Sequence, residues 1–156
     1  MKVALSFSLI AITILLCACK FTLAVPTQEY SCLRASYFLV DKTSVTPERE
    51  SLIAFYLPVD TPYFRKNTRW IKKVVGIPGD DVTVTVDAVY VNGMEYRNNM
   101  NTLLMKVGMK PDQVTKDLKL EDGQYFVIGE TPLSYDSRFW GVIGMENMIG
   151  DAYAIL

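Results

Sequence analysis

An all-β domain of short antiparallel strands, preceded by an N-terminal membrane helix and interrupted by a short partly helical insertion, is the fold class that this sequence predicts. Three observations carry it. β-Branched and aromatic runs recur from Ser36 to the end of the chain, with turn-forming Gly, Pro, Asn or Asp at most of their boundaries. Val3 to Cys19 forms 17 uncharged residues between Lys2 and Lys20, at the short end of what crosses a bilayer as a helix. Met94 to Asp122 departs from the β pattern with a polar, methionine-dotted stretch.

Taken in order, residues 1–25 read as a membrane anchor or signal segment and residues 26–156 as one folded domain, within the usual size of a single core. The apolar start has three readings: a retained anchor, a cleaved signal peptide with Thr22 and Ala24 before the cut, or a lipoprotein signal ending in Leu16-Cys17-Ala18-Cys19. Each places the remainder beyond a membrane, and Lys2 favours a cytoplasmic N-terminus although Lys20 blurs that bias. Val25 to Tyr30 is a short polar connector. Strands are predicted over Tyr37–Val40, Leu52–Leu57, Trp70–Val75, Val82–Val86, Val89–Val91, Tyr125–Ile128 and Ala152–Leu156. Val82-Thr83-Val84-Thr85-Val86 alternates strictly, so one face is buried and the other wet, and Asn92-Gly93 signals a hairpin turn. Residues 94–122 are predicted as an insertion between strands, with helix-compatible pieces at Thr102–Val107 and Asp112–Leu118. A long insertion of this kind tends to be a functional cap or a mobile loop.

Composition removes several chemistries. Removing Lys2 and Lys20 from the 16 basic residues leaves 14 against 17 acidic ones beyond the N-terminal segment, so no basic bias toward nucleic acid exists and no such partner is expected. The chain has no histidine. That excludes a Ser-His-Asp triad, a Cys-His dyad and a His-based metal site, and no metal or cofactor is expected. Cys17 and Cys19 lie in the apolar segment and Cys32 stands alone beyond it, so no disulfide framework forms within the domain.

A general base must then come from a perturbed Lys, Asp, Glu, Tyr or Cys. Trp70-Ile-Lys-Lys-Val-Val-Gly-Ile-Pro-Gly-Asp-Asp81 sets two adjacent lysines into an apolar strand that ends in turn residues. Neighbours on a strand face opposite ways, so one of Lys72 and Lys73 faces water and the other the interior or a cleft, where burial disfavours a charged amine. The plain alternative is a pair of edge-strand lysines that discourage aggregation. A serine paired with a lysine base is the natural hydrolase without histidine, but the residues alone do not select the pair.

The same stretch resembles the lysine box of the type I signal peptidases, and a second match is independent of it. Gly129-Glu130 followed by Ser134-Tyr-Asp-Ser-Arg-Phe-Trp-Gly141 is similar to that family's Gly-Asp box and its continuation, ahead of a closing Ile149-Gly-Asp-Ala-Tyr153. The resemblance covers nearly everything from Ser31 onward apart from the insertion, and implies a signal-peptidase-like β-fold. The small size and Ser31-Cys32-Leu33 followed by Tyr37-Phe-Leu-Val-Asp-Lys42 look most like the conjugative transfer signal peptidases, which mature a pilin and in some cases join its ends. On this resemblance Ser31 is the catalytic nucleophile and Lys72 the general base, with Ser134 orienting the lysine and Asp136 and Arg138 as a buried supporting pair. It also implies a retained inner-membrane anchor, a catalytic domain on the periplasmic side, and an extended signal peptide or pilin precursor as partner.

The departures are specific. Ser31-Cys32-Leu33-Arg34 lacks the family's Ser-Met-x-Pro pattern, Arg49-Glu50-Ser51 stands where Arg-Gly-Asp is frequent, and Glu130 replaces Asp. Two other functions therefore stand beside pilin maturation: a catalytically impaired assembly protein of a transfer system, and a general leader peptidase. A Cys32 nucleophile is a further possibility. Adjacent residues of an extended segment face opposite ways, so only one of Ser31 and Cys32 can meet Lys72, and the resemblance selects Ser31.

Overall fold

A computed structural model describes residues 12–26 and 32–155. Two antiparallel sheets make up most of it. The larger has the order β1-β2-β11-β3-β4-β9-β10 and the smaller β7-β6-β5-β8. The strands are β1 (Phe21–Ala24), β2 (Phe38–Asp41), β3 (Leu52–Tyr56), β4 (Arg69–Gly76), β5 (Asp81–Val84), β6 (Ala88–Val91), β7 (Met94–Arg97), β8 (Lys116–Lys119), β9 (Gln124–Ile128), β10 (Ile143–Gly144) and β11 (Met148–Ala154). Residues 12–20 are helical (α1), and short helices α2 (Asn101–Val107) and α3 (Ser137–Trp140) lie between strands.

Each predicted strand has an observed counterpart. The last one is displaced toward the N-terminus, because Met148–Ala154 pairs on both sides, with β2 and with β3. The two-residue side-chain period divides β9 between two cores. Phe126 and Ile128 pack with the valines of β5 and β6, whereas Val127 packs with Ile53, Phe55 and Trp70 of the larger sheet. In β4 the same period turns Trp70, Lys72 and Val74 inward and leaves Ile71 and Lys73 half-buried on the other face.

One sequence expectation needs correction. Residues 94–122 are no separate cap. They supply β7 and β8, the outer strands of the smaller sheet, registered on β6 and β5 respectively. The helix expected at Thr102–Val107 is present as α2, but Asp112–Leu118 is a 3₁₀ turn at Pro111–Gln113 followed by a strand. Backbone pairing to β5 decides this. Lys116-Asp-Leu-Lys119 alternates between half-buried and exposed positions and so carries little apolar signal. The expected anchor, Val3 to Cys19, lies in part outside the described residues. Among the described residues no helix is long and apolar enough to cross a membrane, and the chain changes from helix to strand at Phe21, pairing β1 with β2. The Asn92-Gly93 turn is present, with φ of 50° and 83°, the left-handed pair that a tight hairpin demands.

Arg49 and Asp80 clasp the two sheets. The guanidinium donates to the Val75 carbonyl at 2.6 Å and reaches the Asp80 carboxylate at 2.9 Å. Asp80 also accepts from the Ile77 N–H and the Asn92 amide, both at 2.7 Å. Glu50, beside it, has φ of 70°. Glycine adopts that conformation without cost, which explains the glycine frequent at this position in the family that the chain resembles. Replacing Arg49 with Ala leaves the buried Asp80 without its cation, and a loss of roughly 1–3 kcal/mol is expected, read as a lower midpoint in urea denaturation.

Candidate active site

The centre of the site is a buried amine. Lys72 is 1% exposed, held between the inward side chains of Trp70 and Val74 on β4. Its Nζ donates to Ser134 Oγ at 2.8 Å and lies 5.0 Å from the centroid of the Trp70 ring. Ser134 is itself fully buried, in the loop after β9. The sequence placed these two residues 62 positions apart in the same catalytic group, and the fold brings them into contact.

Asp136 and Arg138 give the loop its shape. Both are fully buried. Arg138 Nε donates to Asp136 Oδ1 at 2.7 Å and Nη2 to Oδ2 at 2.8 Å, a two-point fork. The remaining guanidinium donors reach the Asn98 carbonyl at 2.7 Å and the Ser134 carbonyl at 3.0 Å, while the Gly129 N–H donates to Asp136 at 2.9 Å. Burial pushes the Asp136 carboxyl up, but the Arg138 charge and hydrogen bonds, the Lys72 charge and the Gly129 N–H more than offset it and hold it below the usual carboxylate range. The pair is thus a buried support and no exposed turn contact.

Gly129 lets this arrangement close. A Cβ there would overlap the Ser134 side chain and come within 2.7 Å of the Cys32 carbonyl. The neighbouring Glu130 N–H donates to that carbonyl at 2.7 Å, and Glu130 Oε2 accepts the Arg34 N–H at 3.0 Å. Cys32 is therefore pinned against the Gly129 strand end, close to Ser134. Ser31, the proposed nucleophile one peptide bond earlier, lies outside the described residues. Lys73 does not share the fate of Lys72. On the outer face of β4 it pairs with Glu130 at 2.8 Å and with Glu50 at 3.6 Å. The Glu130 contact raises the Lys73 pKa and lowers that of Glu130. Sequence reasoning made Lys73 a solvated neighbour, and the structure makes it the clamp on Glu130.

Lys72 opens on a cleft of about 750 Å³ that runs from β4 to β1, with Phe38, Val40, Ala54 and Ile71 among its walls. Asn98 was not foreseen. It is buried, donates its amide to the Gly129 carbonyl at 2.7 Å and offers its own carbonyl to Arg138. An asparagine in a polar stretch gives no sign in sequence that the fold will turn it into the core. Among the described residues no group of three or more His, Cys, Asp or Glu side chains converges as a metal site.

The model of the family described as signal peptidase, peptidase S26, matches residues 1–156. The chain belongs to that family. It is 33% identical over 109 residues to a probable signal peptidase I-2 of Synechocystis, covering 69% of this chain and 47% of the relative. It is 32% identical over 111 residues to a signal peptidase I of Leptolyngbya laminosa, covering 68% and 51%. The chain thus spans about half the length of these curated relatives. A crystal structure of a signal peptidase I from Enterococcus faecalis V583 is similar at 26% identity with a TM-score of 0.46, covering 69% of this chain and 97% of that one.

Two outcomes are expected for the buried pair of this family member. Asp136→Ala strands the Arg138 charge in the core and destabilises the fold by roughly 3–5 kcal/mol, measured by thermal or urea unfolding. Because the folded Asp136 pKa is depressed, its stabilisation is complete above the ordinary value near 3.8 and is lost as pH falls from there through the lower folded value. Unfolding free energy measured against pH therefore drops over that acid range in the native chain, with a smaller slope in Asp136→Asn.

Proposed function

We propose that the chain is a membrane-anchored serine endopeptidase that cleaves leader peptides, with Ser31 as nucleophile and Lys72 as general base. The observation that carries this is the contact between the buried Lys72 amine and Ser134 at 2.8 Å, at the end of an apolar cleft and beside the pinned Cys32. A desolvated amine aimed by one hydroxyl is the form of base that a serine nucleophile needs when histidine is absent.

The reaction begins when neutral Lys72 takes the Ser31 hydroxyl proton and the serine oxygen bonds to the scissile carbonyl carbon. The oxyanion rests on backbone N–H donors, among them that of Ser31. Collapse breaks the C–N bond, and the leaving amine takes the proton from Lys72. A water, or a substrate amine if the product is a ring, then gives a proton to Lys72 and attacks the ester carbon, and as the acyl C–O bond breaks Lys72 returns that proton to the Ser31 oxygen. Substrate enters as a strand. β9 pairs with β4 only from Lys73 onward, so the Arg69–Lys72 stretch has a free edge on that side among the described residues, ready for β-augmentation. Phe38, Val40, Ala54 and Ile71 suit small side chains ahead of the cut.

The finer reading is maturation of a conjugative pilin, with or without cyclisation, at the periplasmic face of a bacterial inner membrane. The 17 uncharged residues from Val3 to Cys19 support the anchor. The printed names of the relatives, signal peptidase I, favour a second reading as a general leader peptidase. A gel assay of pilin processing and rescue of cells depleted of their housekeeping enzyme separate the two. In either assay Ser31→Ala and Lys72→Ala are expected to abolish processing, and unchanged processing in both would exclude the Ser/Lys mechanism and leave a non-enzymatic assembly role. Ser134→Ala is expected to lower kcat on the order of 100-fold with little change in KM, because Ser134 is buried behind the amine.

A further inference from the structure

We propose that Asn98 is a positioning residue for the nucleophile, acting on the segment that carries Ser31 through the single peptide group between Gly129 and Glu130. This deepens the peptidase reading and rests on it. The carbonyl of that peptide group accepts from the Asn98 amide at 2.7 Å, and its N–H donates to the Cys32 carbonyl at 2.7 Å. Hydrogen bonds aligned through one peptide polarise each other, so the Asn98 contact strengthens the bond that pins Cys32 and also fixes its direction. Cys32 is one peptide bond from Ser31.

Asn98 is itself held at both of its backbone groups. It follows β7, its N–H donates to the Asp87 carbonyl at 3.2 Å, and its carbonyl accepts from Arg138 Nη1 at 2.7 Å. Arg138 also holds the Ser134 carbonyl at 3.0 Å, and Ser134 takes the Lys72 amine. One buried residue next to the smaller sheet therefore touches both branches of the site. Its backbone meets the branch that ends in the base, and its side chain meets the branch that ends in the nucleophile. Gly129 is buried and has no side chain of its own to anchor it, and a Cβ there would overlap Ser134, so this point of the chain is placed through its peptide groups. Without the Asn98 amide the Gly129 carbonyl loses a donor away from water, which is costly, and the peptide tilts away from Cys32. Such a tilt moves Ser31 relative to Lys72 and slows the chemical step, while the cleft along β4 keeps its shape.

The test follows Cys32 and the reaction separately in the full chain. With Cys17→Ser and Cys19→Ser in place, Cys32 is the remaining thiol. Its alkylation by iodoacetamide is expected to run about fivefold faster in Asn98→Ala, the change that loss of one hydrogen bond produces in a local opening equilibrium. Asn98→Leu fills the same space without a donor, so it is expected to give the same rise with the core still packed. Asn99→Ala is the control: it removes the neighbouring exposed bond to Asp87 and is expected to leave the labelling rate at the native value. On a leader peptide cut by the native chain, Asn98→Ala is expected to lower kcat on the order of tenfold with KM unchanged. Native labelling rates in both Asn98 variants, an equal rise in Asn99→Ala, or a loss of kcat/KM carried by KM overturns the proposal. Faster labelling in the Asn98 variants of a chain that cleaves no leader peptide overturns the peptidase reading and leaves the hold of Asn98 on Cys32 standing, whereas cleavage with native kcat in both variants overturns the positioning role alone.

Discussion

Arg138 and Asp136 have no contact with solvent, and a charge pair in that position is tolerable only if its geometry is close to ideal and its spare donors are used. Here the fork between them is two-pointed, and the guanidinium also holds the carbonyls of Ser134 and Asn98. The position of Ser134, and through it the direction of the Lys72 amine, follows from that network. The pair has a second consequence. Because Asp136 is balanced by Arg138, the loop holds a buried carboxylate without a net negative charge beside Lys72.

β4 divides its labour between two adjacent residues of the same type. The strand period puts Lys72 inside with Trp70 and Val74, where water is excluded, and puts Lys73 outside, where Glu130 and Glu50 flank it. Glu130 then carries the Lys73 contact across to Cys32 and Arg34 through its N–H and its carboxylate. Two side chains that look interchangeable in sequence are thus separated into a buried amine on Ser134 and a clamp on Glu130 by the alternation of the strand.

The departures from the family pattern acquire physical content in this frame. Glu50, at a position where glycine is frequent, accepts a left-handed backbone and reaches Lys73 at 3.6 Å, beside the shorter Glu130 contact. Arg49 is held by Asp80 and by the Val75 carbonyl, which take its guanidinium. Glu130 is long enough to meet Lys73 through one oxygen and the Arg34 N–H through the other. The substitutions leave the scaffold around Lys72 intact.

The sequence by itself determined the β class and the position of the seven apolar strands, because periodic burial writes these directly into neighbouring residues, whereas the grouping of Lys72 with Ser134, Asp136 and Arg138 was implied by the resemblance of two dense motifs to the signal peptidases. It left β1, β7, β8 and β10 unmarked. Such strands are held by backbone hydrogen bonds to partners far along the chain, and Met94-Glu-Tyr-Arg97 or Lys116-Asp-Leu-Lys119 needs few apolar side chains to join them. Asn98 and the Glu130 clamp were invisible for a related reason: a polar residue becomes part of a core only when distant segments supply its hydrogen-bond partners. Which lysine faces inward, and which backbone edge stays open beside it, was decided by the register of β3, β4 and β9, a property of three strands together that no single stretch of sequence contains.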